Sequence, residues 1–264
     1  MRSSNATGGA GESRDGIRIC RDLDDLGRQS ADCFIRSAVE AVSLRGRFSA
    51  ALSGGSTPRT LYQYLTAPSF SDKVPWEKVH LFWGDERAVP PDHPDSNYRT
   101  ARATLISKVP IPSENVHRMP AERSDLAAAA ETYEGELRAF FNPSGGGPPS
   151  FDLILLGIGA DGHTASLFPG SPALEEKKRW VAAVYPENSK VHRLTLTLPV
   201  LNEAREIFFL AAGKEKAPVI RRLLQNDFSG SVLPAARVRP RRGRRIYFLE
   251  REAAALIDPK EEME

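Results

Sequence analysis

The sequence predicts an α/β fold: a single domain with a mainly parallel sheet flanked by helices. Three observations predict it. Short apolar runs recur along the 264 residues. Most are continuous rather than alternating, as strands covered on both faces require. Segments with apolar residues at spacings of three and four fill the gaps between them, and strands alternating with helices build a parallel sheet.

The strands are read at Ile17 to Cys20, Phe48 to Leu52, Val79 to Trp83, Leu153 to Leu156, Val181 to Val184, Ile207 to Ala211 and Ile246 to Leu249. Leu194, Leu196 and Leu198 alternate with Thr195 and Thr197, which predicts a half-exposed strand. The first helix spans Leu23 to Leu44, with Asp24 and Asp25 near its start, where carboxylates suit the helix dipole. Pro58 fits the first turn of a second helix carrying Leu61, Tyr64 and Leu65. Further helices are read at Asn97 to Lys108, Asp125 to Phe141 and Ala217 to Leu224. The stretch NPSGGGPPS, 142–150, is a loop.

Composition excludes several classes. With 36 basic and 34 acidic residues the charge is nearly balanced, which gives no basis for non-specific nucleic-acid or membrane binding. The exception is Arg237 to Arg245, six arginines in nine residues, read as a solvated turn before the last strand. Cys20 and Cys33 read as packing residues of a reducing compartment. No apolar run approaches the ~20 residues of a membrane span. The polar start MRSSNATGGAGESRDG lacks a secretory core. Residues 1–16 are therefore read as a disordered leader, 17–257 as one catalytic domain and 258–264 as a polar tail.

In a parallel sheet, ligands gather beyond the carboxyl ends of the strands. Three loops share that rim. The first, Ser53-Gly54-Gly55-Ser56-Thr57, joins a strand to a helix, and its N–H groups and hydroxyls suit an anion. It lacks the Gly-Lys-Ser/Thr of a nucleotide P-loop, and a plain tight turn is the rival reading. The second, Gly84-Asp85-Glu86-Arg87, reads either as a surface ion-pair cluster or as a site in which Arg87 faces an anion or a developing oxyanion. Asp95 and Asn97 beyond it suit the cap of the next helix.

The third loop follows the most apolar strand: Gly157-Ile158-Gly159-Ala160-Asp161-Gly162-His163. Glycine there admits a substrate closely. In an extended segment Asp161 and His163 face the same way, and the carboxylate orients the imidazole and favours its protonated form. An imidazole, with an ordinary pKa of about 6.5, suits proton transfer at neutral pH. A metal held by Asp85, Asp161 and His163 ranks low, since no His-x-x-x-His or Cys-x-x-Cys pair anchors it. His80, His93, His117 and His192 have no comparable setting. Arg193 and Lys216 lie where strand ends meet loops; they read as surface charge or as partners of a bound phosphate. With no Gly-x-Ser-x-Gly elbow and no candidate cysteine nucleophile, acid–base chemistry is favoured over a covalent intermediate.

Together these blocks resemble the 6-phosphogluconolactonase family: ALSGGSTPRTLYQYL, PWEKVHLFWGDERAVPPDHPDSNYRTAR, NVHRMP, FDLILLGIGADGHTASLFPGSPAL, HRLTLTLPVLNEAR and the GKEKA turn, from about Ala50 to about Ala236. The resemblance implies a Rossmann-like α/β domain shared with glucosamine-6-phosphate deaminase and ribose-5-phosphate isomerase. It also implies a cytoplasmic enzyme without cofactor, acting on a small sugar phosphate in the oxidative pentose phosphate pathway. By it, His163 matches the catalytic base, Asp161 its partner and Arg87 an arginine near the substrate. Ser53 to Thr57, Arg193 and Lys216 match positions associated with the phosphate, and Asp85 and Gly159 join the set lining the substrate. The related deaminases place Asn-Glu-Pro after the histidine and Met-Asp-Glu-Tyr at the second loop. This chain has Ser166-Leu167-Phe168-Pro169 and Gly84-Asp85-Glu86-Arg87, which favours the lactonase over a deaminase or isomerase. A non-catalytic sugar-phosphate sensor has no need of the Asp161/His163 pair. The sequence leaves the oligomeric state open, and a monomer is compatible with it.

Overall fold

The computed structural model describes residues 15–142, 145–186, 191–225 and 232–257. In chain order the elements are β1 (Asp15–Cys20), α1 (Leu23–Arg45), β2 (Phe48–Leu52), α2 (Ser56–Thr66), α3 (Pro68–Ser71), β3 (Val79–Trp83), β4 (Asp85–Arg87), α4 (Asn97–Thr104), α5 (Leu126–Phe141), β5 (Leu153–Gly157), β6 (Val181–Val184), β7 (Arg193–Leu196), α6 (Leu198–Leu201), β8 (Glu206–Ala211), α7 (Ala217–Leu224) and β9 (Arg244–Glu250). Short 3-10 turns connect several of them. Of the leader read at 1–16, residues 15 and 16 already belong to β1; the rest of it, and the tail 258–264, lie outside the described residues.

Six strands form a parallel sheet in the order β1-β9-β8-β5-β2-β3. The chain winds outward from β2 to β3 on one side and from β5 through β8 to β9 on the other. The order therefore reverses between β2 and β5, and their carboxyl ends part over a crevice, the position where sheets of this kind bind ligands. Every residue of β2 is buried, as are Leu153 to Leu156 of β5. This is why β5 reads as an unbroken apolar run and β2 as one interrupted only by Ser49.

A second, antiparallel sheet, β4-β7-β6, corrects two expectations. The Gly84 to Arg87 loop contains a strand, and the Val181 to Val184 run belongs to this small sheet rather than the parallel one. Gly84 is the seam: its N–H donates to Leu52 O at 2.9 Å in the large sheet, and its carbonyl accepts from Leu196 N at 2.8 Å in the small one. The Leu194 to Leu198 segment is buried throughout, not half exposed. Its threonines are accommodated because their hydroxyls are bonded, Thr195 Oγ1 to Leu196 O at 3.0 Å and Thr197 Oγ1 to Arg179 O at 2.6 Å.

Local signals fix most helix ends. Asp22 caps α1 by accepting from Asp25 N at 2.8 Å, and Gly46 ends it in the left-handed conformation. Asp125 caps α5. The helix expected from Asn97 to Lys108 stops at Thr104 and resumes as a 3-10 turn. Its cap is Ser96, not Asp95 or Asn97: Ser96 Oγ accepts from Arg99 N at 3.1 Å. The arginine run is absorbed by carboxylates, Arg237 on Glu175 at 2.6 Å, Arg241 on Glu203 at 2.9 Å and Arg244 on Glu206. Cys20 and Cys33 are buried and free. Burial pushes the Cys20 thiol up to about 12, far from a reactive thiolate. Among the described residues no helix is long and apolar enough to cross a membrane.

At the end of the sheet opposite the crevice, Asp152 ties β5 to β2. Its carboxylate accepts from Ser49 N and Ser49 Oγ, both at 2.8 Å, and pairs with Arg45 at 2.8 Å and Arg205 at 3.4 Å. Asp152→Ala orphans the buried Ser49 N–H, so the variant should lose about 1–3 kcal/mol of stability. Urea denaturation measures this, and a loss below about 0.5 kcal/mol would show that the tie is dispensable.

Candidate functional site

The crevice at the switch point is a cleft of about 300 Å³. Ser53 to Pro58, Asp85, Arg87, Asn97, Gly157 to Gly159, His163, Ala165, Leu210 to Ala212, Glu215 and Lys216 line it. All three loops singled out in the sequence therefore meet in one place, together with Lys216. Asp161 stands behind His163 rather than in the wall.

The first loop leaves β2 and enters α2. Gly55, at the helix N-cap, provides no side-chain cap. Among the described residues no protein group accepts from the N–H groups of Gly54, Gly55, Ser56 or Thr57. Four uncommitted amides at a helix N-terminus form an anion cradle. Ser53 N–H is not one of them. It donates to the hydroxyl of Tyr62 at 3.1 Å, which itself donates to Ser53 O at 2.6 Å. Tyr62 is fully buried and burial pushes its phenol up, so it stays a neutral clamp on the base of the loop.

The second loop is held by carboxylates. Glu86 is buried and accepts from Arg87 N, Asn97 N and Tyr98 N at 2.7 to 2.8 Å and from Ser96 Oγ at 3.0 Å. Burial raises its pKa against the pull of these N–H groups. It thus fixes the turn whose Asp95 carbonyl accepts from Arg87 at 2.6 Å. Asp85, also buried, accepts from Ser166 Oγ at 2.7 Å and from Asn97 Nδ2 at 3.2 Å. Both its oxygens thus serve the protein. Arg193 opposes Arg87 across the β4–β7 pair and is not among the residues that line the cleft. Burial and the charge of Arg87 pull its guanidinium below the ordinary value. The Nε atoms of both arginines are buried without a partner.

The third loop folds back on itself. Gly159 N donates to His163 O at 2.8 Å, Gly162 N to Gly159 O at 2.9 Å, and Thr164 Oγ1 to Gly157 O at 2.8 Å. Asp161 Oδ1 accepts from His163 N at 3.1 Å and meets ring Nδ1 at 2.6 Å. Burial alone would raise the Asp161 pKa, but the His163 N–H and ring outweigh it and hold the carboxyl below its usual range. An ionised carboxylate only accepts, so Nδ1 carries the proton and the lone pair of the neutral ring sits on Nε2. No protein group bonds Nε2 among the described residues, and His163 lines the cleft. Phe168 packs on the ring at 4.7 Å. Gly159 is required by this approach: a Cβ there would overlap the His163 ring.

Tyr62, Asn97, Ser166 and Glu86 were not read as site residues. Asn97 reads as a helix cap and Tyr62 has no reading of its own, because what marks them is the contact each makes with a loop outside its own helix. Among the described residues no group of three or more His, Cys, Asp or Glu side chains is arranged to hold a metal ion.

A family model described as glucosamine-6-phosphate isomerases/6-phosphogluconolactonase matches residues 21–247. The chain is 42% identical over 227 residues to the 6-phosphogluconolactonase of Synechocystis sp., covering 86% of this chain and 92% of that one. It is 43% identical over 247 residues to the 6-phosphogluconolactonase of Rattus norvegicus, covering 91% and 93%. The solved 6-phosphogluconolactonase of Trypanosoma brucei superposes with a TM-score of 0.82 at 31% identity, covering 94% of this chain and 100% of that one. A monomeric glucosamine-6-phosphate deaminase, at 20% identity and a TM-score of 0.74, shares the fold.

The Gly159 contact yields a direct test. Gly159→Ala should displace the His163 ring from Asp161 while leaving the far-ultraviolet circular dichroism unchanged. The downfield ring N–H proton resonance of the parent should then vanish. Its persistence would contradict the close packing described here.

Proposed function

Because the chain belongs to the glucosamine-6-phosphate isomerase/6-phosphogluconolactonase family, we propose that it hydrolyses 6-phospho-D-glucono-1,5-lactone to 6-phosphogluconate, a step of the oxidative pentose phosphate pathway. One observation carries the reading: an imidazole oriented by a carboxylate and a cradle of four uncommitted amides line the same cleft. The first is equipment for moving a proton, the second for holding a phosphate.

The 6-phosphate sits on the amides of Gly54, Gly55, Ser56 and Thr57, with Lys216 as counter-charge. Bonds of this charge-assisted kind contribute about 1.5–3 kcal/mol each, enough to select phosphorylated over plain lactone. Arg193 contributes through its charge beside Arg87. His163 Nε2 takes a proton from water as the water oxygen attacks the C1 carbonyl. Arg87 stabilises the oxyanion of the tetrahedral intermediate. The imidazolium, stabilised by Asp161, then protonates the ring oxygen as the C1–O bond breaks. Water is consumed, the acid is released, and the histidine returns neutral. Asp85 and Gly159 serve this site by holding its walls and by making room for the ring. We place the enzyme in the cytoplasm, which suits its two free, buried cysteines.

A deaminase reading would need an acid beside the histidine on the segment that follows it. The group there is the apolar ring of Phe168, which supports the hydrolytic reading.

His163→Ala should slow lactone hydrolysis by about 10²–10⁴-fold, after subtraction of the spontaneous rate, with folding intact. The parent should release no ammonia from glucosamine 6-phosphate. In the pH–rate profile Asp161, held below the usual carboxylate range by the His163 N–H and ring, should add no inflection above that range. A His163→Ala variant as fast as the parent would refute the assignment of the base.

A further inference from the structure

Asn97 lies at the start of α4, buried, and touches two of the three loops. Its Nδ2 donates to Asp85 O at 2.9 Å and to Asp85 Oδ1 at 3.2 Å. Both partners are acceptors, so the NH₂ end of the amide must face Asp85 and the oxygen must face the other way. What it faces is Gly54, so closely that a Cβ on Gly54 would overlap Asn97 Oδ1 and Cγ. The backbone of Asn97 is fixed as well, since its N–H donates to the buried Glu86 carboxylate at 2.8 Å. The amide is thus a rigid spacer. One end is bonded to the Asp85 strand, and the other abuts the first glycine of the cradle.

From this geometry we infer that Asn97 is a positioning residue for phosphate binding: it sets the height of the Gly54 to Thr57 amides over the cleft by bracing Gly54 against Asp85. The inference rests on the functional reading above and deepens it. The Tyr62 hydroxyl fixes the base of the loop at Ser53, and Asn97 fixes the next residue. Gly54 is therefore a glycine for a stated reason: a side chain there and the Asn97 amide compete for one volume. Removing the amide lets the loop sag toward α4. Adding a methyl to Gly54 pushes it the other way. Because both changes act on one contact, their effects cannot add.

The test uses the full chain and four proteins: parent, Gly54→Ala, Asn97→Ala and the double variant. Binding of 6-phosphogluconate and of inorganic phosphate is followed by calorimetry, and lactone turnover by acid release. Asn97→Ala should raise KM and the 6-phosphogluconate Kd about tenfold with kcat within threefold. Gly54→Ala should weaken binding more strongly. The double variant should bind better than Gly54→Ala alone, since trimming Asn97 makes room for the methyl. Additive losses in the double variant would overturn the inference. If Gly54→Ala fails to fold, the Asn97→Ala kinetics decide alone, and an unchanged KM overturns it. A parent that binds neither 6-phosphogluconate nor phosphate would instead refute the functional reading, and this inference with it.

Discussion

The Asp85 carboxylate is the interaction on which the rest of the site depends. It stands where the chain steps from the parallel sheet into the small antiparallel one, just after Gly84 has bonded to both. From there it gathers Ser166 from the segment beyond the histidine turn and Asn97 from the start of α4. A buried carboxylate is costly unless its acceptors are filled. Here they are filled by the elements that must meet for the cleft to exist, so burying Asp85 and assembling the site are a single event. The backbone of Ser166 is held in turn by Thr195 Oγ1 at 3.2 Å, which joins the small sheet to the same network.

The site divides its polar groups into two kinds. Those that support the walls are saturated: Glu86 by three backbone N–H groups and a hydroxyl, Tyr62 by both peptide groups of Ser53. Those that face the cleft are left open: the cradle amides and His163 Nε2. Saturated walls prevent the open groups from collapsing onto one another. The open groups therefore stay aimed into the cleft, as electrostatic preorganisation for the proposed hydrolysis requires. Two arginines side by side, Arg87 and Arg193, repel each other in the free protein. An anion in the cleft relieves that repulsion.

Much of this was legible in the sequence, and the reasons are local. The cradle and the histidine turn announce themselves because glycines and small polar residues follow unbroken apolar runs, and His163 lies only two residues from Asp161. The parallel sheet was legible because its central strands β2, β5 and β8 are buried on both faces. What was hidden depends on pairing at a distance. β4 is three charged residues whose strand character comes from β7, far along the chain. The alternation of Leu194 to Leu198 suggested an exposed face because threonine is polar. The fold instead buries Thr195 and Thr197 by giving their hydroxyls carbonyls to bond. Tyr62 and Asn97 carried no signal, since a tyrosine in a helix and an asparagine at a helix start are ordinary until the loop they touch is known. Arg193 reads only as a cation at a strand end; its place beside Arg87 follows from the pairing of β4 with β7, far along the chain.

The proposed mechanism requires a single sugar phosphate to span the cradle and the imidazole. A crystal structure with 6-phosphogluconate bound tests it most directly. The phosphate oxygens should lie within hydrogen-bond distance of the Gly54 to Thr57 amides, with the C1 carboxylate beside His163 Nε2 and Arg87. A ligand bound with its phosphate elsewhere, or with C1 out of reach of His163, would contradict it.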